Sequence, residues 1–260
     1  VADLKEAGGR THVPILIDQE GGRVQRLRPP LSPRFPASAV IGEVYGRDRE
    51  AGLRAAWLQG RLLAHDLLVG FGINVDCLPC LDVPQPGAHS VIGDRAYSAD
   101  PRIVAELGRA AAQGLMAGAV LPVMKHIPGH GRGNADSHLE LPHVDASRED
   151  LANHDFPPFK SLSGLPAGMT AHLLFDSLDP ARPATLSPIV IEQVIRGEIG
   201  FDGLLMSDDM SMKALQGEMG DLARQALAAG CDLTLHCNGD MTEMRRIAEN
   251  VPQLTGAALR

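Results

Sequence analysis

Histidine, lysine and carboxylate side chains crowd into a few short stretches of this 260-residue chain. The densest is Lys125-His126-Ile127-Pro128-Gly129-His130-Gly131, followed shortly by Asp136-Ser137-His138. His126 and His130 have the spacing of a helical metal pair, but Pro128, Gly129 and Gly131 forbid that helix. No H-x-H or H-E-x-x-H motif occurs in the sequence. Asp136, two residues before His138, can orient the imidazole and stabilise its cation, which general acid–base chemistry requires. The same pair also suits a solvated loop. The glycine-rich segment 129–134 is expected to move and to carry Asp136 and His138 with it.

Two further runs add carboxylates and arginines. Leu204-Leu205-Met206-Ser207-Asp208-Asp209-Met210 is an apolar strand ending in two acids. One acid can cap the next helix, and the other is suited to attack an anomeric carbon. Asp18-Gln19-Glu20-Gly21-Gly22-Arg23-Val24-Gln25-Arg26 follows the apolar run Val13–Ile17. Its Asp18 can accept hydrogen bonds from vicinal hydroxyls, and its mixed charge and lack of G-K-[ST] exclude a phosphate loop. Ile92-Gly93-Asp94-Arg95 supplies another arginine from a Pro/Gly-rich stretch.

Composition narrows what these groups can act on. The chain is 44% hydrophobic and 22% charged, enough for a buried core and unlike a disordered segment. A net charge of −8 argues against duplex nucleic acid as a partner, and no apolar run is long enough to span a membrane. Six Phe, two Tyr and one Trp are outnumbered by ten His, so a ligand must be held mainly by polar side chains. Cys77 and Cys80 form a C-x-x-C, but Cys231 and Cys237 are spaced more widely than structural zinc prefers. The four cysteines, in apolar strand-like runs, read as small hydrophobes in a reducing cytoplasm. Neither metal nor cofactor is expected.

The elements that must position these residues alternate strand and helix. Strand-like runs are Val13–Asp18, part of Ile73–Val83, Val120–His126, Met169–His172, Leu204–Asp208 and Asp232–Cys237. Asp100-Pro101, Ser187-Pro188 and Ser147-x-x-Asp150 read as helix starts. A helix over 48–68 would place Leu53, Trp57, Leu62 and Leu67 on one stripe and break at Gly70 and Gly72. Such repeats predict a parallel sheet covered by helices. Asp18, Asp82, Lys125–His126, His172, Asp208 and His236 each end a strand-like run, which fits a closed (β/α)8 TIM-barrel-like domain better than a doubly wound sheet. One domain over residues 1–260 is expected. Only six units are visible, and Val1 stands where an initiator Met would, so a preceding strand–helix unit, and any signal or anchor on it, reads as missing.

Taken together, Asp18–Arg26, Gly93–Arg95, Lys125–Gly131, Asp136–His138 and Ser207–Met210 resemble the bacterial β-N-acetylglucosaminidases of glycoside hydrolase family 3. The resemblance runs from about Val13 to Asn238, with Ile127 where the family often has Phe. It implies that Asp208 is a nucleophile forming a covalent glycosyl-enzyme with retention. It makes His138 the acid/base with Asp136 as its partner, departing from the two-carboxylate pattern of most retaining glycosidases. Asp18, Arg26, Arg95, Lys125 and His126 would hold the sugar hydroxyls and N-acetyl group. The implied substrate is a terminal β-linked N-acetylglucosamine in cell-wall fragments carrying anhydro-muramic acid. Alternatives are a phosphorylase of the same family, a metal-dependent barrel hydrolase and a sugar-binding protein without turnover. His172 and His236 are left between structural and functional roles.

Overall fold

The short apolar runs fold as parallel strands connected through helices, described over residues 1–9 and 13–256 of a computed structural model. Its contacts divide it into two units, Val1–Leu81 with Asp94–Lys125, and Asp82–Gly93 with His126–Arg260. No described helix is long and apolar enough to cross a membrane.

In the first unit, helix α1 (Ala2–Ala7) precedes β1 (Leu16–Ile17), a hairpin of β2 (Gln19–Gly21) and β3 (Val24–Gln25), and helices α2 (Ser38–Arg47) and α3 (Arg49–His65). Strand β4 (Val75–Asp76), helix α4 (Pro101–Ala117) and strand β5 (Leu121–Ile127) follow, β5 running into the second unit at its last two residues. Strands β1, β4 and β5 are parallel, with Leu16 opposite Val75 and Val75 opposite Leu121. Asp48 caps α3 by accepting from the Ala51 N–H at 3.1 Å, and Asp100 caps α4 by accepting from the Arg102 N–H at 2.9 Å.

The expected apolar stripe of α3 is not its buried face. Leu67 is buried, but Trp57 and Leu62 are exposed, and Gly52, Ala56, Gln59, Gly60, Leu63 and Ala64 face inward. The reason is close packing against α4. A Cβ on Gly60 would lie 2.2 Å from the Ala111 carbonyl oxygen, and one on Gly114 would lie 2.1 Å from that of Trp57. Small residues win because the helix backbones touch, and larger side chains are displaced to the rim. The turn continues past Gly70 and closes at Gly72, whose φ of +69° suits glycine.

The second unit contains β6 (His143–Val144), helix α5 (148–161), β7 (Ala167–Thr170), β8 (Leu174–Phe175) and helix α6 (Val190–Glu198). It continues with β9 (Leu204–Asp209), α7 (Met219–Ala229), β10 (Leu233–Leu235) and α8 (Met241–Asn250). Strands β7, β9 and β10 are parallel, and β6 pairs in parallel with β8. Ser147 caps α5 through the Asp150 N–H at 3.1 Å, and Ser187 caps α6 through the Val190 N–H at 3.1 Å. Helix α6 stops before Gly200, at φ +74°. His172 lies beyond β7 rather than at its end, because pairing with β9 runs from Ala167 to Met169.

Candidate active site

Lys125 carries the charge arrangement of the first unit. It is placed near the end of β5, where a parallel strand is covered on both faces, and a buried ammonium there requires carboxylate partners. Asp18 and Glu20 provide them, with Lys125 Nζ 2.7 Å from Asp18 Oδ1 and 2.6 Å from Glu20 Oε1. Arg95 adds a two-point contact, Nε and Nη2 donating to the two Glu20 oxygens at 3.0 and 2.8 Å. Arg26 reaches Asp18 at 3.4 Å from a mostly exposed position.

Burial alone would raise the Glu20 and Asp18 pKa values. The Lys125 ammonium, with Arg95 and, at Asp18, Arg26, overrides it and holds both below the usual carboxylate range. Burial would likewise lower Lys125, but Asp18 and Glu20 raise it above an ordinary lysine. Asp76 goes the other way: burial, with Asp18 and Glu20 as like-charged neighbours, raises it well above the ordinary value. One Asp76 oxygen accepts from the Gln19 N–H at 3.0 Å, which ties the start of the hairpin to β4. Four of the expected sugar-holding residues, Asp18, Arg26, Arg95 and Lys125, thus share one ion-pair cluster with Glu20.

In the second unit Asp136 and His138 are hydrogen-bonded to each other. His138 Nδ1 lies 2.8 Å from Asp136 Oδ1, and the same oxygen accepts the His138 backbone N–H at 2.9 Å. This leaves Nε2 as the nitrogen for proton exchange on a ring that is 63% exposed. Partial burial would raise Asp136, but the His138 N–H and ring outweigh it and keep the carboxyl ionised below its ordinary range. Asp82 clamps the preceding stretch: its Oδ2 is 2.7 Å from His126 Nδ1, and its Oδ1 accepts the backbone N–H of His130 at 2.6 Å. Burial opposes ionisation of Asp82, yet His126 and His130 hold its pKa well below the usual value.

The two acids ending β9 divide their work. Asp209 Oδ1 accepts from the Ser211 and Cys237 N–H groups, each at 3.0 Å, and Oδ2 accepts from the Ser211 hydroxyl at 2.8 Å. It is the turn-capping acid. Asp208 Oδ1 accepts from the Asp209 N–H at 2.8 Å, and its charge acts on the buried His130 and His172 rings. A carboxylate placed there can attack an electrophilic carbon, and an ionised Asp–His pair can pass a proton.

A family profile described as the Glycosyl hydrolase family 3 N terminal domain matches residues 2–258. The chain belongs to this family. Among its relatives is a "Beta-hexosaminidase" of Alkalilimnicola ehrlichii, 42% identical over 243 residues, covering 92% of this chain and 68% of the relative. Another, from Bordetella avium and carrying the same name, is 40% identical over 228 residues and covers 86% of this chain and 64% of the relative. The chain therefore spans about two thirds of the length of these curated relatives. The solved structure of NagZ from Neisseria gonorrhoeae in complex with N-trifluoroacetyl-D-glucosamine is 36% identical with a TM-score of 0.88, over 99% of this chain and 74% of that one.

The family 3 chain departs from expectation in its glycine-rich segment. Residues 129–133 are not a swinging arm. Gly129, His130, Gly131 and Gly133 are buried, and a Cβ on Gly131 would lie 1.9 Å from the Val83 carbonyl oxygen. The Gly131 and Gly133 carbonyls accept from the Gln85 and His89 N–H groups at 3.0 and 2.9 Å. These glycines serve close approach; exposure begins at Asn134 and returns at His138.

Glu20 and Asp82 were not anticipated as site residues. The signals available were weak: Glu20 is two residues from Asp18, and Asp82 ends an apolar run. His172 is structural, buried with Nδ1 2.7 Å from Thr185 Oγ1 and Nε2 3.0 Å from the Asp209 carbonyl. His236 Nε2 pairs with Glu243 Oε2 at 2.7 Å, joining the end of β10 to the first turn of α8. Cys77, Cys80 and Cys231 are buried and outside any disulfide, whereas Cys237 is exposed beyond β10 rather than enclosed in an apolar run.

Proposed function

We propose that this chain is a retaining exo-β-N-acetylglucosaminidase that releases terminal N-acetylglucosamine from cytoplasmic cell-wall fragments carrying anhydro-muramic acid. The observation that carries the reading is the ionised Asp136 carboxylate 2.8 Å from Nδ1 of the exposed His138. The resemblance at Asp208, the relatives named Beta-hexosaminidase and the N-trifluoroacetyl-D-glucosamine complex of the related NagZ support it. The TIM-barrel-like (β/α)8 single domain expected from the sequence is the architecture assumed with it.

Asp208 Oδ attacks the anomeric carbon while the His138 imidazolium gives its Nε2 proton to the departing glycosidic oxygen. The C1–O bond breaks, a glycosyl ester forms on Asp208, and His138 is left neutral. Neutral His138 then takes a proton from water as that water attacks C1, which breaks the ester and regenerates Asp208 and the imidazolium. Asp136 stays ionised throughout, supports the cation and keeps Nε2 free for transfer. Asp18, Arg26, Arg95, Lys125 and His126 hold the sugar hydroxyls and the N-acetyl group. Asp208→Ala is expected to abolish hydrolysis of an aryl N-acetylglucosaminide, and NMR of the unaltered chain to show the β anomer formed first. Unchanged hydrolysis, or the α anomer first, would contradict the proposal.

A further inference from the structure

Ser137, between the two residues of the dyad, is the most constrained of the three. The His138 ring is exposed and Asp136 partly so, yet Ser137 is buried. Its hydroxyl lies 3.2 Å from His130 Nε2, and its carbonyl accepts the Ala214 N–H at 3.1 Å. Ala214 follows β9, the strand that ends in Asp208 and Asp209.

His130 is fixed in its turn. Its backbone N–H donates to Asp82 at 2.6 Å, and its ring meets His126 edge-on, with centroids 5.6 Å apart. Gly133 sits against the ring so closely that a Cβ there would lie 3.1 Å from it. Nδ1 is buried with no hydrogen-bond partner among the described residues, so the hydrogen bond described for the ring is the one to Ser137. An unpartnered lone pair costs less than an unpartnered N–H, which assigns the proton to Nε2 and makes Ser137 Oγ its acceptor. Burial, reinforced by His126, keeps the ring neutral. A neutral, enclosed imidazole is a poor group to exchange protons with a substrate but a good fixed donor.

We propose that His130 is a positioning residue that, through Ser137, locks the Asp136–His138 pair in the alignment proton transfer needs. The proposal rests on the reading of His138 as the acid/base. Asp136 Oδ1 meets both the backbone N–H and the ring of His138, so its alignment is set by the backbone around Ser137. Proton transfer demands hydrogen-bond reach, and a loosened Ser137 would let the pair drift outside it.

The experiment compares Ser137→Ala, Ser137→Thr and His130→Gln on two N-acetylglucosaminides, one with a phenol and one with a dinitrophenol leaving group. The phenol needs the acid and the dinitrophenol does not. Ser137→Ala should lower kcat on the phenyl glycoside about tenfold, a fraction of what a general acid supplies, with kcat on the dinitrophenyl glycoside nearly kept. Ser137→Thr, which retains the hydroxyl, and His130→Gln, which retains a donor near Nε2, should recover most of the loss. Equal losses on both substrates, or no loss on either, would overturn the proposal. Amide exchange over 134–140 is read without substrate and needs no turnover: Ser137→Ala should accelerate it and Ser137→Thr should not. Unaltered exchange would overturn the latch even if the glycosidase reading stands. Faster exchange in a chain inactive on both glycosides would instead overturn the glycosidase reading.

Discussion

Glu20 Oε1 lies 2.6 Å from Lys125 Nζ, and each side chain is 2% exposed. With Arg95 bound across the same carboxylate, Glu20 is the group that makes the buried ammonium tolerable. Glu20→Gln removes a charge and leaves Lys125 with Asp18 alone, so it should destabilise the fold by about 3 kcal/mol, as breaking a buried ion pair does. Arg26→Ala, at the exposed edge of the cluster, should cost less than about 0.5 kcal/mol. Urea unfolding of the two variants checks the contrast; equal losses would contradict it.

The acid response of stability should depend on two opposed groups. Burial and His126 push His130 down from 6.5 to about 4. The unfolded chain therefore takes up a proton the folded state refuses, and stability falls as pH drops across that window. Burial raises Asp155 from 3.8 to about 6 against the pull of Arg132, so its folded state keeps a proton and stability rises as pH drops. At full effect each is worth about 3 kcal/mol. The two should nearly offset, with the lowered His172 tipping the balance toward loss. Asp155→Asn should unmask a steeper loss between pH 6.5 and 4, and His130→Gln should remove much of it. Urea midpoints at both pH values decide, and identical slopes in all three chains would contradict the assignment. Below the ordinary carboxylate range, Asp18, Glu20 and Asp82, all held low, add a further loss as they are forced to protonate.

Gly131 and Gly60 are close-approach glycines, not hinges. Alanine at either would drive a methyl into a backbone carbonyl, at 1.9 Å from Val83 and 2.2 Å from Ala111. Each substitution should cost about 2 to 3 kcal/mol. A loss of stability with Gly131→Ala would separate this reading from a mobile loop, which would accept alanine with little change in melting temperature.

Much of this was legible in local chemistry and little of it in distant pairing. Helix starts at Asp48, Asp100, Ser147 and Ser187 follow from side chains that bond their own backbone two or three residues on, so a short window contains the cause. The Asp136–His138 pair is local in the same way. Glu20 escaped notice because its partners are far away in the chain, 75 residues on at Arg95 and 105 on at Lys125. Apolar spacing misplaces the buried face of α3 because it says nothing about how closely a second helix approaches. Small residues there outweighed Trp57 and Leu62. Residue type and position alone do not separate Asp208 from Asp209; the resemblance singles out Asp208, and the Cys237 N–H that helps fix Asp209 is 28 residues away.

Asp136 and Asp208 should fail differently. Asp136→Asn keeps a side chain in place but removes the charge proposed to support the imidazolium, and should slow a phenyl N-acetylglucosaminide about 10²-fold while sparing a dinitrophenyl one. Asp208→Asn removes the proposed nucleophile and should cost at least about 10³-fold on both. Steady-state rates on the two glycosides check this, and a matching pattern for the two variants would contradict the division of roles.

A covalent sugar on Asp208 can be trapped and read directly. The chain is mixed with an activated fluorinated N-acetylglucosaminide, quenched in acid and digested, and the labelled peptide is fragmented in the mass spectrometer. A single glycosyl mass on Asp208 is expected. A label on Asp209 or on any other residue, or no label at all while sugar is released, would contradict it.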